Sequence, residues 1–353
     1  MNAFPAHPEK ILIRSTNWIG DAVMTTPAVR TIRENFPESE ITILVHPWVA
    51  DVFRYSPRID RVFLYEKKSR HKGLKGMLQL AGELRQQQYD CAILLQNAFE
   101  AALIAKAAGI PARGGYTTDG RALLLTHGVG KEPDLVRKHE VNYYQRMVRG
   151  LGLKTGPNEL ELFIPGTHID AARARLATLT GREPGTEPLI GFNPGAAFGP
   201  AKRWPAERYA ELADLLLRHI GGRILLFGGE ADRAVTADIM GRVTHPGRLI
   251  DLAGRTSLIE AMALIGECDV FITNDSGLMH VAAALHTPLA AIFGSTDHIR
   301  TGPYADNAVI IRKPLPCSPC KKTHCPEKHF RCMKLIDSQE VFEATMRLLK
   351  EQP

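Results

Sequence analysis

Between Phe271 and Asp297 the chain reads FITNDSGLMHVAAALHTPLAAIFGSTD. Two short apolar runs bracket a helix of small residues, and each run ends in a polar turn. A strand, a helix and a second strand in so few residues point to a parallel βαβ unit with its helix packed over the sheet. The turn Asn274-Asp275-Ser276-Gly277 opens directly into that helix. A helix start presents backbone N–H groups and the positive end of the helix dipole, which suits a phosphate. The segment therefore predicts a sheet that grips an anionic, nucleotide-linked ligand.

The same grammar recurs along the chain. Strands are expected at Lys10–Arg14, Glu40–Val45, Arg61–Tyr65 and Asp90–Gln96, with helices at Asp21–Asn35, Leu74–Gln88 and Ala98–Ala108. After a polar connection with a strand at Glu159–Ile164 and a helix at Ile169–Leu179, the alternation resumes. Strands are expected at Leu189–Phe192, Arg223–Phe227, Asp269–Thr273 and Leu289–Phe293, with a helix at Ala206–His219 and a capping box, Ser257 and Glu260, before another. Repeated strand–helix units imply parallel strands covered on both faces. With 353 residues the chain is too long for one ordinary core. The expected division is residues 1–180 and 186–335, joined through the Gly- and Pro-rich Gly181–Pro188. A last helix over 336–353 is expected to cross back toward the N-terminal half. Ligands of such sheets sit at the carboxyl ends of the strands, and every candidate residue falls in a loop that follows a strand.

Composition narrows the class. A hydrophobic share of 44% with 23% charged residues is that of a soluble globular protein. The net charge of +6 and a pI near 9.0 favour acidic partners: phosphorylated substrates, anionic lipid or nucleic acid. The N-terminal residues lack a signal-peptide core, and His286, Thr287 and Pro288 interrupt the longest apolar run, so a cytoplasmic location is expected.

Four loops carry candidate chemistry. Ser15–Pro27, STNWIGDAVMTTP, has no G-x-G-x-x-G but places Asp21 at the mouth of the expected cleft. Asp21 reads either as a general base for a sugar hydroxyl or as a first-turn helix acid. In NPGAAFGPAKRWP, Gly195 and Gly199 allow close backbone approach, and Lys202 and Arg203 bring charge that could stabilise a developing phosphate. Trp204 reads as a packing residue or a ligand neighbour. In FGGEADR, Glu230 suits a ribose hydroxyl contact or, equally, a helix start. In the opening motif Asp275 and Ser276 suit a helix cap, Gly277 admits a ligand, and His280 lies one turn in, as a ligand contact or a core histidine.

Cys317, Cys320, Cys325 and Cys332 form C-x2-C-x4-C-x6-C. That spacing suits a closed structural zinc site; a free-thiol loop and redox-formed disulfides are the alternatives. Cys91 and Cys268 read as buried thiols. Lys67, Lys68, Arg70, His71, Lys72 and Lys75 form a basic run that reads as a lipid or phosphate contact, or as a solvated loop. The chain has no D-x-D pair of the kind that holds a nucleotide diphosphate through a divalent cation, so cationic side chains and helix starts are expected to neutralise the phosphates.

NWIGDAVMTTPA, PGAAFGPAKRWP, FGGE and NDSGLMHVAAALHTPLAAIFGSTD together resemble the ADP-heptose:lipopolysaccharide heptosyltransferases of glycosyltransferase family nine, over nearly the whole chain. The fuller motifs are nearest the type that adds a second heptose. The resemblance implies an α/β fold of GT-B type, two Rossmann-like domains with parallel sheets facing across a cleft, the N-terminal one for acceptor and the C-terminal one for ADP-heptose. It implies inverting transfer to the first heptose of the inner core, with no cofactor required for catalysis, by an enzyme peripheral on the inner face of the inner membrane. Asp21 matches the family's base and Lys202 its diphosphate cation. Gly20, Gly195, Ala196, Gly199, Arg203, Trp204, Gly229 and Glu230 fall on the donor side, as do Asp275, Ser276, Gly277 and His280. Asn17, Asn97, Arg113 and Arg121 fall where acceptor contacts are expected. Heptosyltransferases of other acceptor specificity are the alternative within the family. A zinc-containing nucleic-acid-binding protein is the rival outside it; the resemblance implies no nucleic-acid partner.

Overall fold

A computed structural model describes residues 4–181 and 187–351. It divides into two compact units, Met1–Phe163 and Ile164–Pro353. Except for Gly181, Glu187 and Pro188, the expected linker lies outside the described residues.

The first unit is a six-stranded parallel sheet made of β1 (Lys10–Arg14), β2 (Glu40–Val45), β3 (Arg61–Leu64), β4 (Cys91–Leu94), β5 (Ala112–Tyr116) and β6 (His127–Val129), in the order β3-β2-β1-β4-β5-β6. Its helices are α1 (Ile19–Met24), α2 (Thr26–Asn35), α3 (Gly73–Gln86), α4 (Phe99–Ala107) and α5 (Glu140–Gly150). β1 lies between β2 and β4, with Ile11 beside Ile41 and Cys91. Ile11, Leu12 and Ile13 are all buried, the unbroken apolar run of a strand covered on both faces. The single helix expected over Asp21–Asn35 is two. Pro27 lacks the N–H that would continue the ladder and its ring opposes the carbonyl of Val23. The helix restarts at Thr26, and the Thr25 and Thr26 hydroxyls donate to the carbonyls of Ala22 and Val23, at 2.6 and 2.8 Å.

The second unit repeats the topology. Its strands are β7 (Leu189–Asn193), β8 (Arg223–Leu226), β9 (Leu249–Asp251), β10 (Val270–Asn274), β11 (Leu289–Phe293) and β12 (Ala308–Arg312), all parallel in the order β12-β11-β10-β7-β8-β9. Its helices are α6 (Gly166–Thr180), α7 (Ala206–Ile220), α8 (Arg233–Arg242), α9 (Leu258–Gly266), α10 (Gly277–Ala284), α11 (His298–Thr301), α12 (Arg331–Lys334) and α13 (Ser338–Lys350). Tyr209, Leu212, Ala213 and Leu216 give α7 one buried stripe at helical spacing. The capping box before α9 forms as expected: the Ser257 hydroxyl accepts from the Glu260 N–H, and Glu260 accepts from the Ser257 N–H.

Several expectations need correction. The division falls after Phe163, so α6 belongs to the second unit, where it packs on α9. The last helix, expected to cross to the first half, lies on α7 and on β10 to β12 of its own unit. Its buried Val341, Phe342, Ala344 and Leu348 join that core, which explains the placement. Glu159–Ile164 is not a strand; Arg30 and Arg58 clamp Glu161 at 3.2 and 3.1 Å and hold the segment along α2. β5, β6, β9 and β12 were not anticipated. β6 and β9 have three residues each, and β5 carries two adjacent glycines, so those three show no run long enough to read, whereas the apolar run Ala308–Ile311 of β12 was legible and was missed.

Candidate functional site

In each unit the strand order reverses at one place, between β1 and β4 and between β7 and β10. There the loops beyond the carboxyl ends diverge and leave a crevice. The motif loops Ser15–Trp18 and Pro194–Lys202 follow β1 and β7; Leu95–Asn97 and Asn274–Gly277 follow β4 and end β10.

In the first crevice, α1 begins at Ile19, so Asp21 sits in its first turn beside the buried Gly20, partly exposed. The loop before it is held by a residue the sequence reading missed. Arg14 ends β1 almost fully buried; its guanidinium donates to the carbonyls of Ser15 and Leu44 and, at 2.8 Å, to Asn17 Oδ1. It lies 5.5 Å from the Tyr65 ring centre. Burial pulls its pKa down to about 10. The same guanidinium faces His46 Nε2 at 3.5 Å, while His46 Nδ1 lies 2.8 Å from the Tyr65 carbonyl. These partners fix the tautomer: Nδ1 carries the proton and Nε2 accepts. Burial and the Arg14 charge push the His46 pKa down to about 4. Tyr65 donates to Glu100, which also pairs with Lys67. Burial opposes ionisation of Glu100, but hydrogen bonds from Lys67 and Tyr65 and the charges of Lys67 and Arg14 hold it below the usual carboxylate range.

The expected acceptor residues are not equivalent. Asn17 is at the crevice, with its carbonyl accepting from Trp48 Nε1 at 2.9 Å. Asn97 and Arg121 are also at the carboxyl ends, but they bind each other. Arg121 is fully buried, donating to the carbonyls of Tyr116 and Gln96 and, at 2.9 Å, to Asn97 Oδ1; Asn97 donates to the Tyr143 hydroxyl at 2.7 Å. Burial lowers the Arg121 pKa to about 10. Arg121 is thus a clamp for the loops after β4 and β5, not a free cation for a ligand. Arg113 departs further. It lies near the amino end of β5, with Nε and Nη1 donating to the carbonyls of Leu124, Ile110 and Pro111.

In the second crevice, Ser276 caps α10, its hydroxyl accepting from the Met279 N–H at 3.3 Å. Asn193 donates to that hydroxyl at 2.7 Å and to Thr273 at 3.0 Å. Asn274 receives the Trp204 N–H at 3.0 Å and donates to the Pro194 carbonyl at 2.7 Å. The two loops are therefore stitched together before any ligand arrives. Lys202 brings Nζ to 2.6 Å from Asp275 Oδ2, with both side chains largely buried; the contact is an ion pair rather than an aligned hydrogen bond. Arg203 lies 3.5 Å from Asp232, and its buried Nε has no hydrogen-bond partner among the described residues. His280 is buried in α10 one turn from its start. Glu230, after β8, is mostly exposed and pairs with Arg233 at 3.0 Å.

Three expected donor contacts change character. Trp204 is buried in the core, its indole N–H donating to the Ile336 carbonyl at 2.9 Å, so it supports the loop from beneath. Gly195, beside the buried Ala196, is required by Asp232: a Cβ there would lie 2.4 Å from that carboxylate. Gly199 has φ +148 and faces the Thr323 carbonyl, which a Cβ would approach to 2.6 Å. Gly229 keeps its expected place at the end of the β8 loop, where its N–H donates to Asp232 at 3.0 Å.

Cys317, Cys320, Cys325 and Cys332 all line one small cavity with Ala201 and Ser295. Burial and the other three thiols push the Cys332 pKa up. All four are free thiols, and among the described residues no three Cys, His, Asp or Glu are gathered closely enough to hold a metal ion. As they stand the thiols do not form the closed tetrahedral shell that zinc requires. The segment has another visible role: the Ala201 N–H donates to the Thr323 carbonyl at 3.0 Å, tying it to the loop that carries Lys202.

The sequence model of glycosyltransferase family 9 (heptosyltransferase) matches residues 77–331. The chain belongs to glycosyltransferase family 9. Lipooligosaccharide heptosyltransferase 2 of Haemophilus ducreyi is 35% identical over 86% of this chain and 88% of its own length. Lipopolysaccharide heptosyltransferase 2 of Escherichia coli K12 is 31% identical over 97% and 99%. Among solved structures, the Escherichia coli ADP-heptose lps heptosyltransferase II has a TM-score of 0.82 at 30% identity, covering 97% of this chain and 99% of that one. A family 9 glycosyltransferase from Veillonella parvula has a TM-score of 0.87 at 27% identity, covering 99% and 100%. The enzyme thus shares the GT-B-type α/β fold of the heptosyltransferases.

Within this glycosyltransferase, sequence reasoning missed Arg14, His46, Tyr65 and Glu100 in the first unit and Asn193, Asp232 and Asn274 in the second. One signal was present: Arg14 directly follows the apolar run Ile11–Ile13 in its strand, where burial demands partners.

Proposed function

We propose that this family 9 glycosyltransferase is a heptosyltransferase of type II, moving heptose from ADP-heptose to the first heptose of the lipopolysaccharide inner core. The carrying observation is the second crevice, where Lys202, Asp275 and the start of α10 meet at the strand-order reversal. Backbone N–H groups at a helix start and a lysine ammonium are the two common ways to receive a diphosphate. Near full-length likeness to type 2 relatives supports the choice of sugar and acceptor.

In this reading the Asp21 carboxylate takes the proton of an acceptor hydroxyl. The hydroxyl oxygen bonds to the anomeric carbon as the bond to the diphosphate breaks, and ADP leaves with the electron pair. Attack from the face opposite ADP inverts the centre. Asp275 holds the Lys202 ammonium in place so that it meets the charge growing on the leaving group. Glu230, exposed after β8, accepts from the ribose hydroxyls. No metal takes part in a step. The acceptor is lipid-linked, so the enzyme works in the cytoplasm at the inner membrane surface; among the described residues no helix is long and apolar enough to cross a membrane.

The test is incubation with ADP-heptose and inner-core acceptors carrying no heptose, one or two, with products read by mass. A single heptose added only to the one-heptose acceptor is the expected result. Addition to the heptose-free acceptor instead would reassign the specificity, and inertness with every acceptor would end the reading.

A further inference from the structure

The proposed transfer step assigns no role to one basic surface of the first unit. Residues 67–82 contain five Lys and Arg residues and no Asp or Glu. Leu74 is 69% exposed and Leu78 is 55% exposed. They stand one turn apart on α3, so their side chains are neighbours. Single exposed apolar residues are ordinary, but adjacent ones rimmed by charge mark an interaction surface.

The patch is built on a firm base. His71 is buried at its centre, its Nδ1 accepting from the Glu66 N–H at 3.1 Å and its Nε2 3.3 Å from Glu83. Gly76 packs α3 directly on this loop, since a Cβ there would lie 2.2 Å from the His71 carbonyl carbon. Lys67 and Arg70 pair with Glu100 and Glu83. Among the described residues Lys68, Lys72 and Lys75 have no carboxylate at ion-pair distance. Lys68 lies 5.0 Å from the ring centre of the exposed Trp48, whose indole N–H bonds to Asn17 in the loop leading to Asp21.

We propose that this surface docks the enzyme on an anionic lipid bilayer, with Leu74 and Leu78 in the headgroup boundary, Lys68, Lys72 and Lys75 on lipid phosphates and Trp48 at the interface. An amphipathic helix with lysines beside its apolar side chains binds such a boundary through both terms. Nucleic acid would reward the cations but gain nothing from two exposed leucines. The inference deepens the proposed function, since docking through Trp48 and Asn17 ties the Asp21 loop to the surface on which a lipid-linked acceptor is presented.

The test is co-sedimentation of the full-length protein with vesicles, without donor or acceptor. Binding to phosphatidylglycerol-rich vesicles, weakened by salt and much reduced on pure phosphatidylcholine, is expected. K72Q/K75Q should lower partitioning about 25-fold, at about fivefold per lysine. L74S/L78S should lower it about tenfold or more. Both variants should keep the wild-type melting temperature and unchanged transfer to a delipidated core oligosaccharide, because these side chains are exposed. Wild-type binding by both variants, no vesicle binding at all, or preference for an oligonucleotide over vesicles would overturn the proposal. Because the sedimentation assay contains no sugar substrate, its failure leaves heptosyl transfer standing, and failure of transfer leaves the docking result standing.

Discussion

The two sheets have the same strand order, yet their crevices handle charge in opposite ways. In the first, a buried cation, Arg14, is satisfied mainly by carbonyls and neutral side chains, and its pKa falls to about 10. In the second, each cation meets a carboxylate: Lys202 meets Asp275, and Arg203 meets Asp232. A shared topology therefore fixes where a site lies without fixing its chemistry. The first crevice stiffens a loop that carries one acid, Asp21. The second arranges paired charges around a helix start, with the Lys202–Asp275 pair beside the Ser276 cap.

The largest expected effect tests the first crevice. Asp21→Asn should lower kcat by about 10²–10⁴-fold, or ~3–5 kcal/mol of barrier, with ADP affinity retained. Near wild-type turnover in a folded variant would remove the base from the mechanism. Next, Lys202→Met should lower kcat by about 10²–10³-fold and also weaken ADP binding, measured by calorimetry. Asp275→Asn combined with Lys202→Met should be far from additive, because the two side chains touch; additive losses would dissolve the contrast between the crevices.

A third prediction concerns pH. The native His46 pKa, about 4, lies below its unfolded value of about 6.5, so the unfolded chain binds the extra proton first. Stability should fall as pH drops from about 6.5 to about 4, by at most ~3 kcal/mol from this residue, and level off below. His46→Gln should flatten that part of a melting-temperature profile; an unchanged slope would show that His46 is not its source. The smallest effects compare two glycines of the second crevice. Gly195→Ala should destabilise by ~1–3 kcal/mol because its Cβ meets Asp232, whereas Gly229→Ala, with no atom nearer than 3.9 Å, should stay within ~0.5 kcal/mol. Equal melting temperatures would mean that Asp232 yields easily.

The chain alone determined the parallel α/β class and the loops at which chemistry collects. Parallel strands need unbroken apolar runs, and ligand loops follow their carboxyl ends, so Ile11–Ile13 and Phe271–Thr273 announce both in one dimension. Short strands such as β6 and β9 stayed hidden because three residues cannot display a period. Tertiary structure decided which charged and aromatic residues are available to a ligand. Arg121 is engaged by Asn97, 24 residues away, and the Trp204 indole by a carbonyl 132 residues away. A residue's local sequence describes its side chain, but burial and hydrogen-bond satisfaction depend on what distant segments bring to it, and those set its role.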